Sequence, residues 1–226
     1  MISSIFVTLQ IITIIASALR SEQVLSEEQL REFLISSEDD GSIIAATTLV
    51  TTVICCALIA VIIKLKRGTR LTDYLAIRTV PLKTALFWLA GFSLFIAASD
   101  ALTYFLGRPI VPPFMTATYG SANPVWLFWI ALVIAAPLFE ETFFRGFLFK
   151  GLASSSIGAI GAIVLTAFFW AIIHTQYDTY NIATIFCIGL IFGAARMHTG
   201  SLLMPLVLHA FSNVVSTAEV AFLKLS

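Results

Sequence analysis

Six polar side chains in the carboxyl-terminal half of the chain are of the types that carry out hydrolysis. They are two adjacent carboxylates, a cation, two imidazoles and an amide: Glu140, Glu141, Arg145, His174, His209 and Asn213. Each lies within or at the end of a strongly apolar stretch. In such surroundings an unpaired carboxylate can take a proton from water, and an imidazole or amide can donate to a developing oxyanion. The set is therefore typical of a hydrolytic site.

Sequence spacing divides these groups into two kinds. Glu141 and Arg145 are four residues apart with the acid first, so on a helix they share a face and neutralise each other. Glu140 is rotated by about 100° from Glu141 and is free to point elsewhere. His209 shares a helix face with the amide four residues after it, whereas His174 must reach the site from another helix.

A purely structural role is the alternative for each polar group. A single intramembrane His or Asn commonly serves as an interhelical hydrogen-bond partner. Ionisable groups at membrane depth cost on the order of several kcal/mol, however, so this many of them on three segments would make an expensive structural network. Their joint occurrence favours a functional site.

The composition indicates that lipid surrounds most of the protein. The 226 residues are 59% hydrophobic and 12% charged, against about 25% charged in typical soluble domains. No basic run suggests a nucleic-acid partner. Cys55, Cys56 and Cys187 lie inside apolar stretches, which predicts small buried hydrophobes rather than disulfides or metal ligands.

Apolar stretches long enough to cross a bilayer define the fold class. We predict an all-α, polytopic transmembrane helical bundle of about seven membrane segments, with a polar intramembrane active-site cavity. The segments run approximately over 3–19, 42–63, 84–106, 124–150, 156–174, 180–197 and 201–223. The first ends in Ala16-Ser17-Ala18, so a cleaved signal peptide is an alternative for it.

Acidic and basic residues concentrate in different connections, which predicts their sides of the membrane. Seven of the thirteen acids lie between Glu22 and Asp40, and six of the thirteen basic residues lie between Lys64 and Lys83. Lys and Arg are retained on the cytoplasmic side. We therefore expect a multi-pass protein with a cytoplasmic amino terminus. The acidic segment and the 107–123 loop should lie outside, and the turns near Lys150 and Arg196 inside.

Two connections carry local structural signals. Ser26 and Gln29 form a capping-box pattern, which predicts a short interfacial helix within the acidic segment. Three prolines in the 107–123 loop predict an extended surface connection. Pro137, one turn before the carboxylates, is expected to kink its helix and free backbone carbonyls near the site.

Three motifs stand in order between residues 124 and 223. Residues 140–146 fit E-E-x-x-x-R with an aromatic before the Arg and a Gly after it, and residues 209–213 fit H-x-x-x-N. Between them, the pattern F-x-x-x-H ends at His174, with Trp170 where Phe is usual. Together these motifs resemble the CPBP family of intramembrane proteases, which includes the type II CAAX prenyl endopeptidases and the bacterial Abi proteins.

The resemblance implies a role for each residue. Glu140 would activate the attacking water, His174 and His209 would complete the site, and Asn213 would help stabilise the oxyanion. The pair that Glu141 forms with its cation would support them. The family is commonly classed as metalloproteases, so Zn²⁺ held by Glu140, His174 and His209 is one expectation and a metal-free glutamate mechanism is the other.

The expected function is that of an intramembrane endopeptidase with a membrane-associated, CAAX-type prenylated protein or peptide as substrate. Residues 1–123 would supply amino-terminal membrane segments, and 124–226 the catalytic core. Membrane lipids and the substrate are the expected partners; the oligomeric state is not indicated. A non-catalytic membrane scaffold or bacteriocin self-immunity factor with the same fold is the alternative, and an ion-coupled carrier is a third class.

The depth of His174 conflicts with straight helices. If the chain turns between Lys150 and Ser156, Glu140 lies opposite residue 166, and His174 is about 12 Å further out at 1.5 Å per residue. Either Pro137 and the glycines at 158–161 bend the helices, or the turn lies later in the chain.

Overall fold

The computed structural model describes Glu28, residues 39–66 and residues 68–223. Over these residues the chain folds into helices and no strand, which confirms the all-α prediction. The segment predicted at 3–19, and the interfacial helix predicted behind Ser26, lie outside the described residues.

Eight helices follow one another in the described part of the chain. They are α1 (Gly41–Leu65), α2 (Leu71–Tyr74), α3 (Leu82–Phe105), α4 (Pro113–Ser121), α5 (Val125–Ala153), α6 (Gly158–Ile172), α7 (Thr179–Thr199) and α8 (Leu203–Leu223). Five of them, α1, α3, α5, α7 and α8, are long and apolar enough to cross a membrane, whereas α6 has 15 residues. The helical membrane bundle is therefore confirmed, with the segment predicted at 156–174 shorter than expected.

Short polar side chains fix where two of the spans begin. The carboxylate of Asp40 accepts hydrogen bonds from the backbone N–H groups of Ser42 and Ile43, at 2.8 and 3.0 Å. Asp178 caps α7 in the same way by accepting from the N–H of Asn181 at 2.9 Å. Each cap satisfies N–H groups that the first helical turn leaves without partners.

The predicted extended connection over 107–123 is wrong where α4 forms. Pro113 occupies the first turn of this helix, where its missing N–H costs nothing and its fixed φ favours the helix. The beginning of α1 packs tightly on α4, because a Cβ at Gly41 would lie 2.0 Å from the carbonyl oxygen of Thr118. Helix α4 therefore covers one end of the bundle.

Helix α5 is irregular on both sides of the carboxylates. Its bonding is π-helical over Ala131–Ala135 and Thr142–Leu148, and α-helical over the intervening Ala136–Glu141. Insertions of this kind are frequent at functional sites. Close to Pro137, the carbonyl of Ala135 accepts a hydrogen bond from the hydroxyl of Thr52 on α1 at 2.9 Å.

Small residues bring α7 close to α6. A Cβ at Gly189 would lie 3.0 Å from Ala167, and one at Gly193 would lie 2.9 Å from Ile163. Without side chains at these two positions the backbones approach closely, as is common between membrane helices. The carbonyl of Gly189 thereby lies beside the ionisable groups of α5.

Candidate active site

The turn between α5 and α6 sets the depth of the site. It comprises residues 154–157, later than the predicted Lys150–Ser156. Glu140 consequently lies opposite Trp170, whose indole Nε1–H donates to its Oε2 at 2.5 Å. The second explanation for the depth of His174, a later turn, is therefore confirmed: Glu140 lies opposite Trp170 rather than residue 166, which removes most of the mismatch. His174 lies one helical turn beyond Trp170 and bonds through Nδ1 to its carbonyl oxygen at 2.7 Å.

Glu141 and Arg145 form a buried ion pair, as their spacing predicts. Nη1 of Arg145 donates to Oε1 of Glu141 at 3.0 Å, and neither side chain is exposed. Nη2 donates to the carbonyl of Gly189 at 3.1 Å, and the guanidinium lies 4.7 Å from the centre of the Trp170 ring. The pair therefore joins α5 to both α6 and α7.

His209 lies between the two carboxylates. Its Nδ1 is 2.9 Å from Oε1 of Glu141 and its Nε2 is 3.9 Å from Oε2 of Glu140. Because an ionised carboxylate only accepts, Nδ1 carries the hydrogen in the first contact. Sequence spacing had assigned Glu141 to Arg145 alone; the contact between α5 and α8 adds His209 as a second partner.

The buried charges balance when His209 is protonated. Glu140, Glu141 and Arg145 together carry one net negative charge, and an imidazolium brings the sum to zero. Uncompensated charge is costly in a buried, low-dielectric environment. His209 lies between the two carboxylates and is therefore placed where a compensating charge is needed.

The ion pair is not optimised for stability. Oε2 of Glu141 and Nε of Arg145 are buried and have no hydrogen-bond partner among the described residues. Each such atom loses its hydrogen bonds to water on burial and gains no protein partner, which lowers the stability of the fold. This is a pattern expected of a site selected for chemistry.

Asn213 has a structural partner that its spacing did not reveal. Its Nδ2 donates to the carbonyl of Leu132 at 2.7 Å. In π-helical bonding that carbonyl would receive the N–H of residue 137, five positions later, but Pro137 has none. Asn213 supplies the missing donor, and its second amide hydrogen is left for the cavity that it lines. Its side chain makes no hydrogen bond to His209 within the described part of the chain.

A cavity of about 230 Å³ brings these groups together. Its inner end is lined by the buried side chains of Glu140, Trp170, His174 and His209, and its outer end by half-buried side chains that include Asp100 and Glu219. Tyr177 also lines the cavity, with its ring stacked 6.3 Å from that of His174.

An ion pair joins two connections at the outer end of the cavity. Arg108 donates to Oδ2 of Asp178, and its guanidinium lies 4.7 Å from the centre of the Tyr180 ring. The N–H of Asn181, and then Arg108, hold the pKa of Asp178 below its usual value. The Tyr180 hydroxyl is in turn 2.7 Å from that of Thr103 on α3.

The expected metal ligands do not form a metal site in this arrangement. One carboxylate and two imidazoles are donors that zinc uses. Among the described residues, however, no three His, Cys, Asp or Glu side chains are grouped so as to hold a metal ion. Oε2 of Glu140 is instead bonded to the indole of Trp170.

Trp170 is the residue of the site that sequence reasoning missed. It was noted only as an aromatic replacement within the second motif. The available signal was its indole N–H, since a buried tryptophan usually finds a hydrogen-bond acceptor.

Comparison with known proteins finds a family similarity in the carboxyl-terminal half of the chain. The model of the Rce1-like type II CAAX prenyl endopeptidases matches residues 122–215. An uncharacterized 24.3 kDa protein of Escherichia coli is 34% identical over 130 residues, which cover 54% of this chain and 58% of that protein. No solved structure matches. Residues 122–215, which contain all six polar residues singled out in the sequence, are therefore similar to the Rce1-like type II CAAX prenyl endopeptidases.

Proposed function

We propose that this protein is an intramembrane endopeptidase in which Glu140 activates the attacking water. One observation carries the proposal: the carboxylate of Glu140 lies at the buried end of a cavity, 3.9 Å from Nε2 of His209 and beside His174. The family match supports the reaction class, because its members are proteases by description.

Glu140 is placed to act as the general base. The hydrogen bond from Trp170 occupies Oε2 and fixes the carboxylate, which leaves Oε1 for a water molecule in the cavity. As the water oxygen attacks the peptide carbonyl carbon, Glu140 takes the proton. It then returns that proton to the amide nitrogen as the C–N bond breaks.

His174 is suited to hold the water. Its Nδ1 must be the donor in the bond to the Trp170 carbonyl, because a carbonyl oxygen only accepts. In the neutral ring Nε2 therefore carries a lone pair. That lone pair accepts the second hydrogen of the water and orients its oxygen towards the substrate.

His209 and Asn213 are suited to stabilise the oxyanion. A protonated His209 donates through Nδ1 to Glu141 and keeps a hydrogen on Nε2 for the developing negative charge. The free amide hydrogen of Asn213 is a second donor in the same cavity. Glu141 and Arg145 act through His209 by holding its ring, so they are positioning residues.

The substrate proposed from the family is a membrane-associated protein, with prenylated CAAX proteins as the narrower candidate. Apolar side chains line the cavity beside the polar groups, among them Phe95, Ile96, Phe114 and Met115, so a hydrophobic segment could lie next to the reacting bond.

Elemental analysis of the purified protein, paired with cleavage after chelation, tests the separate proposal of a zinc ion.

A search for substrates tests the function. New protein amino termini would be compared in membranes that contain the wild type or the Glu140→Ala variant, and the best candidate would be cleaved with both proteins purified and reconstituted. We expect cleavage by the wild type alone. Full cleavage by Glu140→Ala would refute the proposal, and a cellular phenotype that survives in both Glu140→Ala and His209→Ala would favour a scaffold.

A further inference from the structure

The positive charges of the bundle lie almost entirely at one end. Seven of the nine described Lys and Arg residues are near the end where α1, α5 and α7 finish: Lys64, Lys66, Arg70, Arg78, Lys83, Lys150 and Arg196. Arg145 lies in the site, and Arg108 alone of the nine is near the opposite end. We call the first end the basic end.

The cavity opens at the opposite end. Its outer lining comes from the last turns of α3 and α8, the first turns of α7, and the 107–123 connection with α4. No lining residue within the described chain belongs to the connections of the basic end, 66–81, 154–157 and 200–202. The burial of the lining side chains agrees with an opening at this end, since Glu140 and His209 are buried whereas Asp100 and Glu219 are half-buried.

We propose that the cavity opens away from the cytoplasm and that the substrate is a peptide segment presented from the extracytoplasmic side of the membrane. Lys and Arg near the ends of spans are retained on the cytoplasmic side, which orients the basic end inwards and the cavity outwards. The orientation stands on charge and cavity position alone; cleavage of such a segment rests on the proposed function.

The charged groups that line the cavity restrict the class of substrate further. Its lining in the described chain contains the carboxyl groups of Asp100, Glu140 and Glu219 and no Lys or Arg. Arg108, the cation nearest to the opening, is engaged by Asp178. A free carboxyl terminus would meet the carboxyl groups of Asp100 and Glu219 at the outer end of the cavity, whereas an internal segment brings no like charge to them. The cavity thus favours an internal, membrane-proximal segment of an exported or membrane-anchored protein over cleavage at the carboxyl terminus of a CAAX protein.

Cysteine labelling in intact cells tests the orientation. Cys55, Cys56 and Cys187 would be replaced by alanine, and single cysteines introduced at two exposed positions, Ala117→Cys on α4 and Ser156→Cys in the turn of the basic end. We expect a membrane-impermeant sulfonated maleimide to label Ala117→Cys in intact cells and Ser156→Cys only after permeabilisation. The reverse order, or equal labelling of the two, overturns the proposal. Thr175→Cys, exposed beside His174, replaces Ala117→Cys if that variant misfolds.

The positions of the cleaved bonds test the substrate class. Amino termini that depend on the wild type and disappear in Glu140→Ala should map to extracytoplasmic, membrane-proximal segments of other proteins. Termini that map to cytoplasmic segments, or to the last few residues of their proteins, would overturn it. If labelling follows the expected order and no such termini exist, the proteolytic function is refuted and the orientation is supported.

Discussion

Helices α5 and α3 are both apolar spans, yet they differ in how much of their surface the protein covers. Half of the most apolar part of α5 is buried inside the bundle, compared with 6% for α3. Helix α5 carries Glu140, Glu141 and Arg145, all buried, whereas the buried residues of α3 are Phe92 and Thr103. Among the described residues, the other helices therefore enclose the span that carries the charges and leave most of α3 uncovered.

The difference in burial between α5 and α3 follows from how well lipid solvates the side chains of each helix. Lipid solvates an apolar span as well as protein does, so α3 gains little from being enclosed. Lipid does not solvate charged groups, so within the membrane they must be paired or face a cavity. Each pair of variants below changes the same residue type once in an enclosed position and once in a matched position elsewhere, and so tests this contrast.

The largest effect is expected for the general base. Glu140→Gln keeps the shape of the side chain but removes the proton acceptor, so cleavage should slow by about 10²- to 10⁴-fold. Glu219→Gln is the matched change on α8 in the same cavity and should stay within a few-fold of the wild type. Initial rates on a reconstituted substrate measure both. Equal losses would show that the cavity does not distinguish the two carboxylates as proposed.

The next effect concerns the buried ion pair. Arg145→Met leaves Glu141 buried without its cation and should lower the free energy of unfolding by about 3–5 kcal/mol. Arg108→Met breaks an exposed pair and should cost about 1 kcal/mol or less. Reversible unfolding in detergent, followed by denaturant titration, compares them. Similar losses for the two variants would contradict the contrast between enclosed and exposed charge.

A smaller effect should follow from the indole that fixes Glu140. Trp170→Phe removes the hydrogen bond to Oε2 and keeps an aromatic ring, so kcat should fall by about tenfold with little change in KM. The matched change on α3 is Trp88→Phe, whose Nε1 donates to His198 at 3.4 Å, away from the site; its kcat should not change. A rise in KM alone for Trp170→Phe would assign the residue to substrate binding instead.

The smallest effect is expected where α3 faces lipid. Leu94 is 73% exposed, so Leu94→Ala should change the free energy of unfolding by about 0.5 kcal/mol or less. Leu208 on α8 is fully buried, and Leu208→Ala should cost about 2–5 kcal/mol through the cavity it leaves. The same denaturant titration measures both. A large loss for Leu94→Ala would place a packing partner on this face of α3.

The sequence was sufficient for features that depend on composition or on spacing within one helix. Apolar length located the described spans to within a few residues, and the four-residue spacing predicted the pair of Glu141 with Arg145. The polar groups expected to meet do line one cavity, because few arrangements of a membrane bundle enclose so many ionisable side chains.

Contacts between helices were not predictable in the same way. The position of His209 between Glu140 and Glu141 depends on how α8 packs on α5, and the bond from Trp170 to Glu140 depends on where residues 154–157 turn. An error of a few residues in that turn moved the expected partner of Glu140 from residue 166 to 170. The helix at Pro113 was missed because proline was taken as a breaker, although at a first turn it favours a helix.

The π-helical stretches of α5 limit how this chain can vary in length. Each such stretch accommodates a residue more than regular bonding would, so removing one residue within Ala131–Ala135 would restore an α-helical pattern. The flanking turns would then keep nearly their present orientation, because a π-helical turn takes up its extra residue locally. The α-helical Ala136–Glu141 has no such turn, so a deletion there would rotate the carboxylates by about 100° relative to the segment before them. We therefore expect a single-residue deletion to be tolerated better within Ala131–Ala135 than within Ala136–Glu141.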